Sequence, residues 1–206
     1  MLWRTTPSVR SGRRKPAGFI LPCQPTLSLA VPSGPQWIHE LKHDGFRILA
    51  RKDGAEIRLW SRSGRDYSRE FAAITQALRA LPADAVIDGE AAAHCADGLP
   101  DFHRLNSRDG ARAACLYAFD LLSVAGEDLR DHPLLERRAR LAAILPGAPP
   151  ALILSEHLAG EHGEAMFREA CRMGLEGIVS KRADRPYRSG RSPYWLKIKN
   201  PSYRRA

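Results

Sequence analysis

At 206 residues and 44% hydrophobic, the chain has enough apolar side chains to bury a core of its own, most simply as one domain with or without a small appendage. Its four cysteines, at positions 23, 95, 115 and 171, form no C-x-x-C pair, which argues against a zinc site or disulfide framework and suits a reducing interior; no apolar run is long enough to cross a bilayer. A formal net charge of +9 favours a polyanionic partner such as nucleic acid.

No acidic residue precedes Glu40, and Arg10, Arg13, Arg14 and Lys15 make residues 1–18 a basic arm, expected to be disordered. Phe19 to Leu29, rich in proline, reads as an extended lead-in. Alternation from Trp37 to Lys42 predicts a strand with Ile38, Glu40 and Lys42 on one face and Trp37, His39 and Leu41 on the other. Asp44-Gly45 is expected to turn this strand back as a hairpin into Phe46 to Lys52, and Asp53-Gly54 to turn again into Glu56 to Arg62, giving three consecutive antiparallel strands. Phe71, Ile74, Leu78 and Leu81 recur at helical spacing, with Asp66 or Ser68 as the expected cap and Pro82 as the stop.

Ala85 to Ala93 returns to strand with Asp88 and Glu90 on one face, and Asp97-Gly98 predicts a turn before a short helix at Asp101 to Asn106. Cys115 to Leu122 is the most continuously apolar strand and is expected to be central. Pro133 opens a helix carrying Leu134, Leu135, Leu141, Ile144 and Leu145; Pro146 to Pro150 links it to a strand at Leu152 to Ser155. A helix from Glu161 to Met173 closes at Gly174, followed by a strand from Leu175 to Lys181, a basic loop from Arg182 to Pro193 and a last strand, Trp195 to Lys199, with Lys197 and Lys199 on one face.

Only six of the 32 basic residues are lysines, and four of them (42, 181, 197, 199) fall in these strand-borne stretches. In a chain that otherwise prefers arginine, lysine suggests an amine that must lose its proton or act as a compact charge. A strand-end lysine flanked by cations can become a nucleophile. Lys42, Arg47, Arg62, Glu90, Glu176, Lys181, Lys197 and Lys199 should share one cleft, a mixture suited to a nucleoside triphosphate: cations offset phosphate charge, and glutamates hold a divalent metal or ribose hydroxyls. There is no glycine-rich phosphate loop, so side chains would hold the phosphates; Phe119 could stack on a base.

Lys42-His43-Asp44-Gly45-Phe46-Arg47 fits the KxDGxR signature of covalent nucleotidyltransferases, and five further stretches follow in family order: Ser61-Arg62-Ser63-Gly64, Asp88-Gly89-Glu90, Tyr117-Ala118-Phe119-Asp120, Glu176 to Lys181 and Trp195 to Lys199. The chain resembles the adenylation domain of ATP-dependent DNA ligases, closest to the bacterial end-joining type. The resemblance implies an α+β fold of antiparallel sheets flanked by helices, ATP-grasp-like, over residues 19–200. It implies that Lys42 attacks the α-phosphorus of ATP and forms a lysyl-adenylate. Glu40 would lie by the adenine, Phe119 would stack on it, and Arg47 and Glu90 would meet the ribose. Arg62 would reach the nucleotide or the nick phosphate, Lys197 and Lys199 would neutralise the α-phosphate, and Lys181 and Arg191 would join the nucleotide set. Glu176, with Glu90, would hold Mg²⁺ or Mn²⁺. His39 and His43 match no required position, and His157 and His162 are expected at the surface with no metal assigned to them.

Full ligases carry a C-terminal OB-fold after the last lysine strand, and here residues 201–206 read as a tail. A fragment, a minimal ligase with a partner supplying that domain in trans, and a relic are all compatible with this. The expected partner is nicked double-stranded DNA, with no membrane, in a bacterial cytoplasm near the nucleoid. Two alternatives stand beside the DNA ligase: a nucleotidyltransferase of the same fold acting on RNA (an RNA ligase or capping-type enzyme), and a nucleic-acid-binding module without catalysis.

Overall fold

Period-two alternation in the strands and 3.6-residue stripes in the helices sort the side chains into sheet faces and helix faces. The computed structural model describes residues 15–93, 101–145 and 147–204. In chain order the strands are β1 (Cys23–Leu27), β2 (Trp37–Leu41), β3 (Phe46–Asp53), β4 (Glu56–Ser61), β5 (Ala85–Ala92), β6 (Cys115–Val124), β7 (Glu127–Asp128), β8 (Leu152–Leu154), β9 (Leu158–Ala159), β10 (Gly177–Arg182) and β11 (Gly190–Lys199). The helices are α1 (Ala72–Arg79), α2 (Phe102–Asn106), α3 (Arg108–Arg112), α4 (Leu134–Ile144) and α5 (Gly163–Arg172), the last entered through a 3-10 turn at Gly160–His162.

The strands form two sheets, ordered β1-β11-β10-β2-β9 and β4-β3-β5-β6-β7, with β8 also on β6. Their inner faces meet in one apolar cluster, to which the first sheet gives Cys23, Ile38 and Trp195 and the second gives Leu49, Trp60, Val86, Phe119 and Leu122. The outer face of the second sheet, with Ile48, Leu59, Ile87, Leu116 and Leu121, packs on Phe71, Ile74 and Leu78 around α1 and on Leu141 of α4. Ala170 of α5 closes the outer face of the first sheet over Ile178 and Ile198. The result is four layers with a seam between the sheets, and the candidate residues line the open part of that seam.

The expected α+β architecture holds, and the antiparallel pairing holds for most of it; β1 on β11 and β8 on β6 are parallel. The hairpin expected at Asp44-Gly45 does not form. β2 pairs with β10 and β9, whereas β3 pairs with β4 and β5, so residues 42–45 carry the chain from one sheet to the other. Alternation and a turn dipeptide fit a crossing as well as a hairpin, because neither specifies the partner strand. Gly45 is required by close approach: a Cβ there would lie 2.1 Å from the Ala91 carbonyl oxygen. Asp53-Gly54 does make the β3–β4 hairpin.

The helix after β4 starts at Ala72 with Phe71 as its N-cap and no side-chain cap; Ser68 Oγ accepts from the Leu59 amide at 2.9 Å instead, so neither expected cap is used. The last strand begins at Gly190 rather than Trp195, because β1 pairs with Gly190, Arg191 and Ser192 and so draws the end of the basic loop into the sheet. α3, capped by the Ser107 side chain, was not expected. Of the basic arm, residues 1–14 lie outside the described residues; Lys15 Nζ donates to the Ser63 carbonyl at 2.6 Å. The expected turn at Asp97-Gly98 also lies outside them. Cys23 and Cys171 carry free thiols, and Cys115 Sγ donates to the Ala92 carbonyl at 3.6 Å.

Candidate active site

β2 and β10 lie side by side, and their alternation aims Glu40 and Lys181 into the seam. A cavity of about 250 Å³ opens there, lined among others by Glu40, Lys42, Arg47, Arg62, Glu90, Phe119, Lys181, Arg191 and Lys197. Nine of the residues proposed from sequence therefore border one space. Glu176 and Lys199 lie outside that lining, and both reach Lys42's side of it.

Lys42 follows the last residue of β2, and its amide donates to the Gly177 carbonyl at 2.9 Å. Its Nζ donates to Glu176 Oε2 at 2.5 Å, and Lys199 Nζ lies 3.4 Å from Glu176 Oε1. The lysine side chain is 22% exposed, so it is held at the wall of the cavity and does not wave in solvent. Glu176 takes its place because the next residue, Gly177, has φ +129, and a Cβ there would strike the Ile198 carbonyl at 2.1 Å. Burial, then Lys199 and Lys42, push the Lys197 ammonium below its ordinary range. Three lysines thus surround one carboxylate, an arrangement that concentrates positive charge where phosphate oxygens could sit.

At the floor, Glu40 is buried and holds three donors: Arg138 Nη1 at 2.7 Å on Oε1, and Lys181 Nζ at 2.8 Å and Ser155 Oγ at 3.2 Å on Oε2. Burial lowers the Lys181 ammonium from its usual range, against the pull of Glu40. Its Nζ sits 4.1 Å from the Phe119 ring centroid and 4.2 Å from that of Trp195. Phe119 reaches this space because it is the extra residue of a β-bulge, Asp88 pairing with Asp120 and Gly89 with Ala118. Its ring is 6% exposed, with Trp195 at its edge and Arg47 4.5 Å above it.

Arg47 is clamped by Asp88, Nε to Oδ1 at 2.6 Å and Nη2 to Oδ2 at 2.8 Å, and Tyr187 OH donates to the same Oδ2 at 2.6 Å. Asp88 raises the Arg47 guanidinium above its ordinary value despite the opposing effect of burial. The arginine is a rigid wall of the cavity, its cation set by the protein before any ligand arrives. Arg62 follows β4 at the rim and is exposed; Arg191, at the start of β11, is exposed on the other side. His39 lies behind the strand between Ser180 Oγ at 2.8 Å and the Gly160 carbonyl at 3.2 Å, its imidazole pushed down by burial. His43 lines the cavity and stacks on Tyr117 at 3.9 Å, while His157 and His162 are at the surface as expected.

Four residues of the site were not singled out from sequence: Arg138, Ser155, Tyr187 and Trp195. For Arg138 a signal exists. Leu134, Arg138, Leu141 and Leu145 fall at i, i+4, i+7 and i+11, so this arginine sits on the apolar stripe of its helix and must find a buried anion. Tyr187 lies in what reads as a generic basic loop, and nothing local marks it.

Burial raises the Glu90 carboxyl to about 7, against the pull of Arg47 and Lys42. An unfolded glutamate titrates at about 4.3, so between these values the folded chain binds a proton that the unfolded chain has lost. Stability therefore falls as pH rises through that window and is level above it. Glu90→Gln should be more stable than the parent by about 1–3 kcal/mol at about pH 8, with the gain gone near pH 4. Denaturant unfolding of both proteins at the two pH values measures this, and a gain that ignores pH would assign Glu90 another role.

The family model described as ATP dependent DNA ligase domain matches residues 24–199. The multifunctional non-homologous end joining protein LigD of Pseudomonas aeruginosa is 36% identical over 204 residues, 94% of this chain and 24% of that protein. A probable DNA ligase of Beutenbergia cavernae is 40% identical over 172 residues, 78% of this chain and 33% of that one. The chain thus spans a quarter to a third of the length of these curated relatives. Among solved structures, mycobacterial DNA ligase D complexed with ATP and MES superposes with a TM-score of 0.75 at 32% identity, covering 87% of this chain and 60% of that one. Chlorella virus DNA ligase-adenylate, at TM-score 0.64 and 17% identity over 87% of this chain and 67% of its own, shares the fold. A match that runs through both sheets and every strand bordering the lysine cleft leaves one assignment: the chain belongs to the ATP-dependent DNA ligase family, as an adenylation domain of the bacterial end-joining type.

Proposed function

We propose that this domain carries the covalent adenylation step of DNA ligation: Lys42 takes AMP from ATP and passes it to a 5′-phosphate at a nick. The observation that carries the reading is the placement of Lys42 Nζ, at the cavity wall on Glu176 with Lys197 and Lys199 beside it. In the first step the Lys42 amine sheds a proton, Glu176 Oε2 being the acceptor already in hydrogen-bond contact. A P–N bond then forms to the α-phosphorus as the α–β P–O bond breaks, and pyrophosphate leaves with the bonding pair. In the second, a 5′-phosphate oxygen displaces the lysine from the AMP phosphorus. A 3′-hydroxyl then attacks the activated 5′-phosphorus and AMP departs. Such displacements need alignment and charge neutralisation above all, and lysines at fixed positions supply both.

Glu40 and Lys181 at the cavity floor suit the adenine end, Phe119 and Trp195 its apolar wall, and Arg47 and Glu90 the ribose. Arg62 and Arg191 stand at opposite rims, suited to phosphates. Among the described residues no cluster of three or more His, Cys, Asp or Glu could hold a metal alone. Mg²⁺ is commonly held through one or two carboxylates together with substrate phosphates, and Glu176, with Glu90 across the cavity, fits that donor set. When bound, the ion would offset charge on the phosphate oxygens. The mycobacterial DNA ligase D of similar fold was solved with ATP, which supports the choice of nucleotide.

For the acceptor, an adjoining groove shares Arg47, Arg62 and Glu90 with the nucleotide cavity and adds Ser63, Arg65, Tyr67 and Phe102. A nick must approach the same phosphorus, and a groove that shares a wall with the nucleotide cavity suits that approach. The basic loop flanks the site, with Arg185 and Arg188 lying 5.3 and 5.6 Å from the Tyr194 ring. Nicked duplex DNA should therefore bind with strong salt dependence.

The test is a two-stage assay. Incubation with α-labelled ATP and Mg²⁺ should leave label on the protein after denaturation, and a chase with nicked duplex should release AMP as the nick closes. Label that forms from GTP in preference, or that moves only to RNA, would replace the DNA ligase reading with a nucleotidyltransferase of another acceptor. Salt-sensitive DNA binding without label would reduce the domain to a binding module.

A further inference from the structure

Arg138 is 4% exposed, and its guanidinium bonds groups on three separate segments of the chain. One guanidinium nitrogen, Nη1, bridges Glu40 Oε1 at 2.7 Å and the Phe119 carbonyl at 2.9 Å. The other, Nη2, donates to the Ser155 carbonyl and lies 3.2 Å from His157 Nδ1. Its Nε is the one buried side-chain polar atom without a hydrogen-bond partner among the described residues. A buried arginine with an orphaned nitrogen is a poor device for stability, since apolar side chains of similar volume often serve a core as well or better. What it does accomplish is to tie together the two elements that line the floor of the nucleotide cavity: β2 through Glu40 and the β6 bulge through Phe119.

A carboxylate offers about four lone-pair sites. Arg138, Lys181 and Ser155 take three of those on Glu40, and Glu40 itself lines the cavity. One acceptor site is left over, and its direction is set by the three donors that hold the group. Beside it stands Lys181 Nζ, a donor. An acceptor next to a donor complements the edge of adenine, which shows a donor at the exocyclic amine and an acceptor at N1. Guanine reverses both, with an acceptor at O6 and a donor at N1.

We infer that Arg138, seconded by the Ser155 hydroxyl, is a positioning residue for base selection: it aims the last lone pair of Glu40 at the exocyclic amine of the bound base. The inference rests on the adenylation reading for the identity of the ligand, and its test is separable from that reading because binding and covalent transfer are read independently. Nucleotide binding is followed by the change in tryptophan fluorescence, Trp195 lying in the cavity wall, with ATP, GTP and purine riboside triphosphate, which lacks only the amine. Covalent transfer is followed with α-labelled forms of the same three.

The parent should prefer ATP over the amine-less purine in binding by roughly 10-fold or more, because a site built to bond a polar group rejects the analogue that lacks it. Ser155→Ala removes one donor without uncovering a buried charge and should reduce that preference several-fold while the melting temperature holds. Arg138→Met should abolish it, raising KM for ATP with little change in KM for the amine-less purine, and Arg138→Lys should restore part of it through its charge. Thermal melts of each variant in parallel establish that the protein compared is folded. Equal weakening toward all three nucleotides in Ser155→Ala and Arg138→Lys would overturn the inference and leave Arg138 a plain structural tie. A parent that shows no ATP preference over the amine-less purine would overturn it as well. Selective binding without label would instead sink the adenylation step and leave the base selection standing.

Discussion

Lys42→Ala is expected to leave no label on the protein after incubation with α-labelled ATP, a loss of at least ~10⁴-fold in adduct formation, the scale seen when a nucleophile is removed from a covalent enzyme. Folding should hardly notice. The Lys42–Glu176 pair lies at a partly open wall, where an ion pair contributes about 1 kcal/mol or less, and Lys199 remains 3.4 Å from Glu176 to balance the carboxylate. Lys42→Arg sharpens the result. A guanidinium keeps the positive charge and the reach to Glu176 but cannot shed its proton, so it should fail as completely as alanine while binding ATP nearly as well as the parent. Label that survives either substitution, located by peptide mapping, would identify a different nucleophile.

Asp120→Ala should be the most damaging single change to stability, costing about 3–5 kcal/mol. Asp120 and Arg137 are both fully buried, joined by two parallel bonds of 2.7 Å, Nε to Oδ1 and Nη2 to Oδ2. Burial pushes the Asp120 carboxyl up while Arg137 draws it down, so the aspartate depends on its partner to stay in that place. Truncating it leaves a guanidinium stranded between α4 and β6, still held to the carbonyls of His132 at 2.6 Å and Arg185 at 3.2 Å but without its anion. Replacing both residues, as Asp120→Leu with Arg137→Met, should recover most of the loss, because the stranded charge is gone. Urea unfolding of Asp120→Leu, Arg137→Met and the double variant, each against the parent, closes the cycle; additive losses in the double would mean that the pair acts through something other than its mutual charge. Because Asp120 follows Phe119 at the bulge, Asp120→Ala should also lose adduct formation, in step with the fraction unfolded.

The chemistry of the cleft was legible in sequence because it is local. The lysine at the end of a strand, the alternation that puts Glu40 on its face, the stretch from Glu176 to Lys181 and the paired lysines of the last strand are each written within a few residues. Nine of the residues so chosen do border one cavity. The Asp44-Gly45 hairpin was misread for an equally local reason. A turn dipeptide after an alternating run records that the chain changes direction, and the hydrogen-bond partners of β2 come instead from β10, about 140 residues on.

Arg138 and Asp88 show the limit from the other side. Each belongs to a stretch whose type was anticipated, a helix and a strand, but the partner that gives each its role is set by packing between elements. Asp88 takes Arg47 and Tyr187, and Arg138 takes Glu40 from 98 residues away. Sequence by itself determined most of the elements, the charge balance and the motif residues, since period, turn chemistry and side-chain type are properties of neighbours along the chain. Tertiary structure alone decided which strand lies beside which, that the chain crosses between sheets at Lys42, and which buried cation holds which carboxylate, because those follow from apolar faces finding one another and from each buried charge requiring a counterpart wherever the fold supplies it.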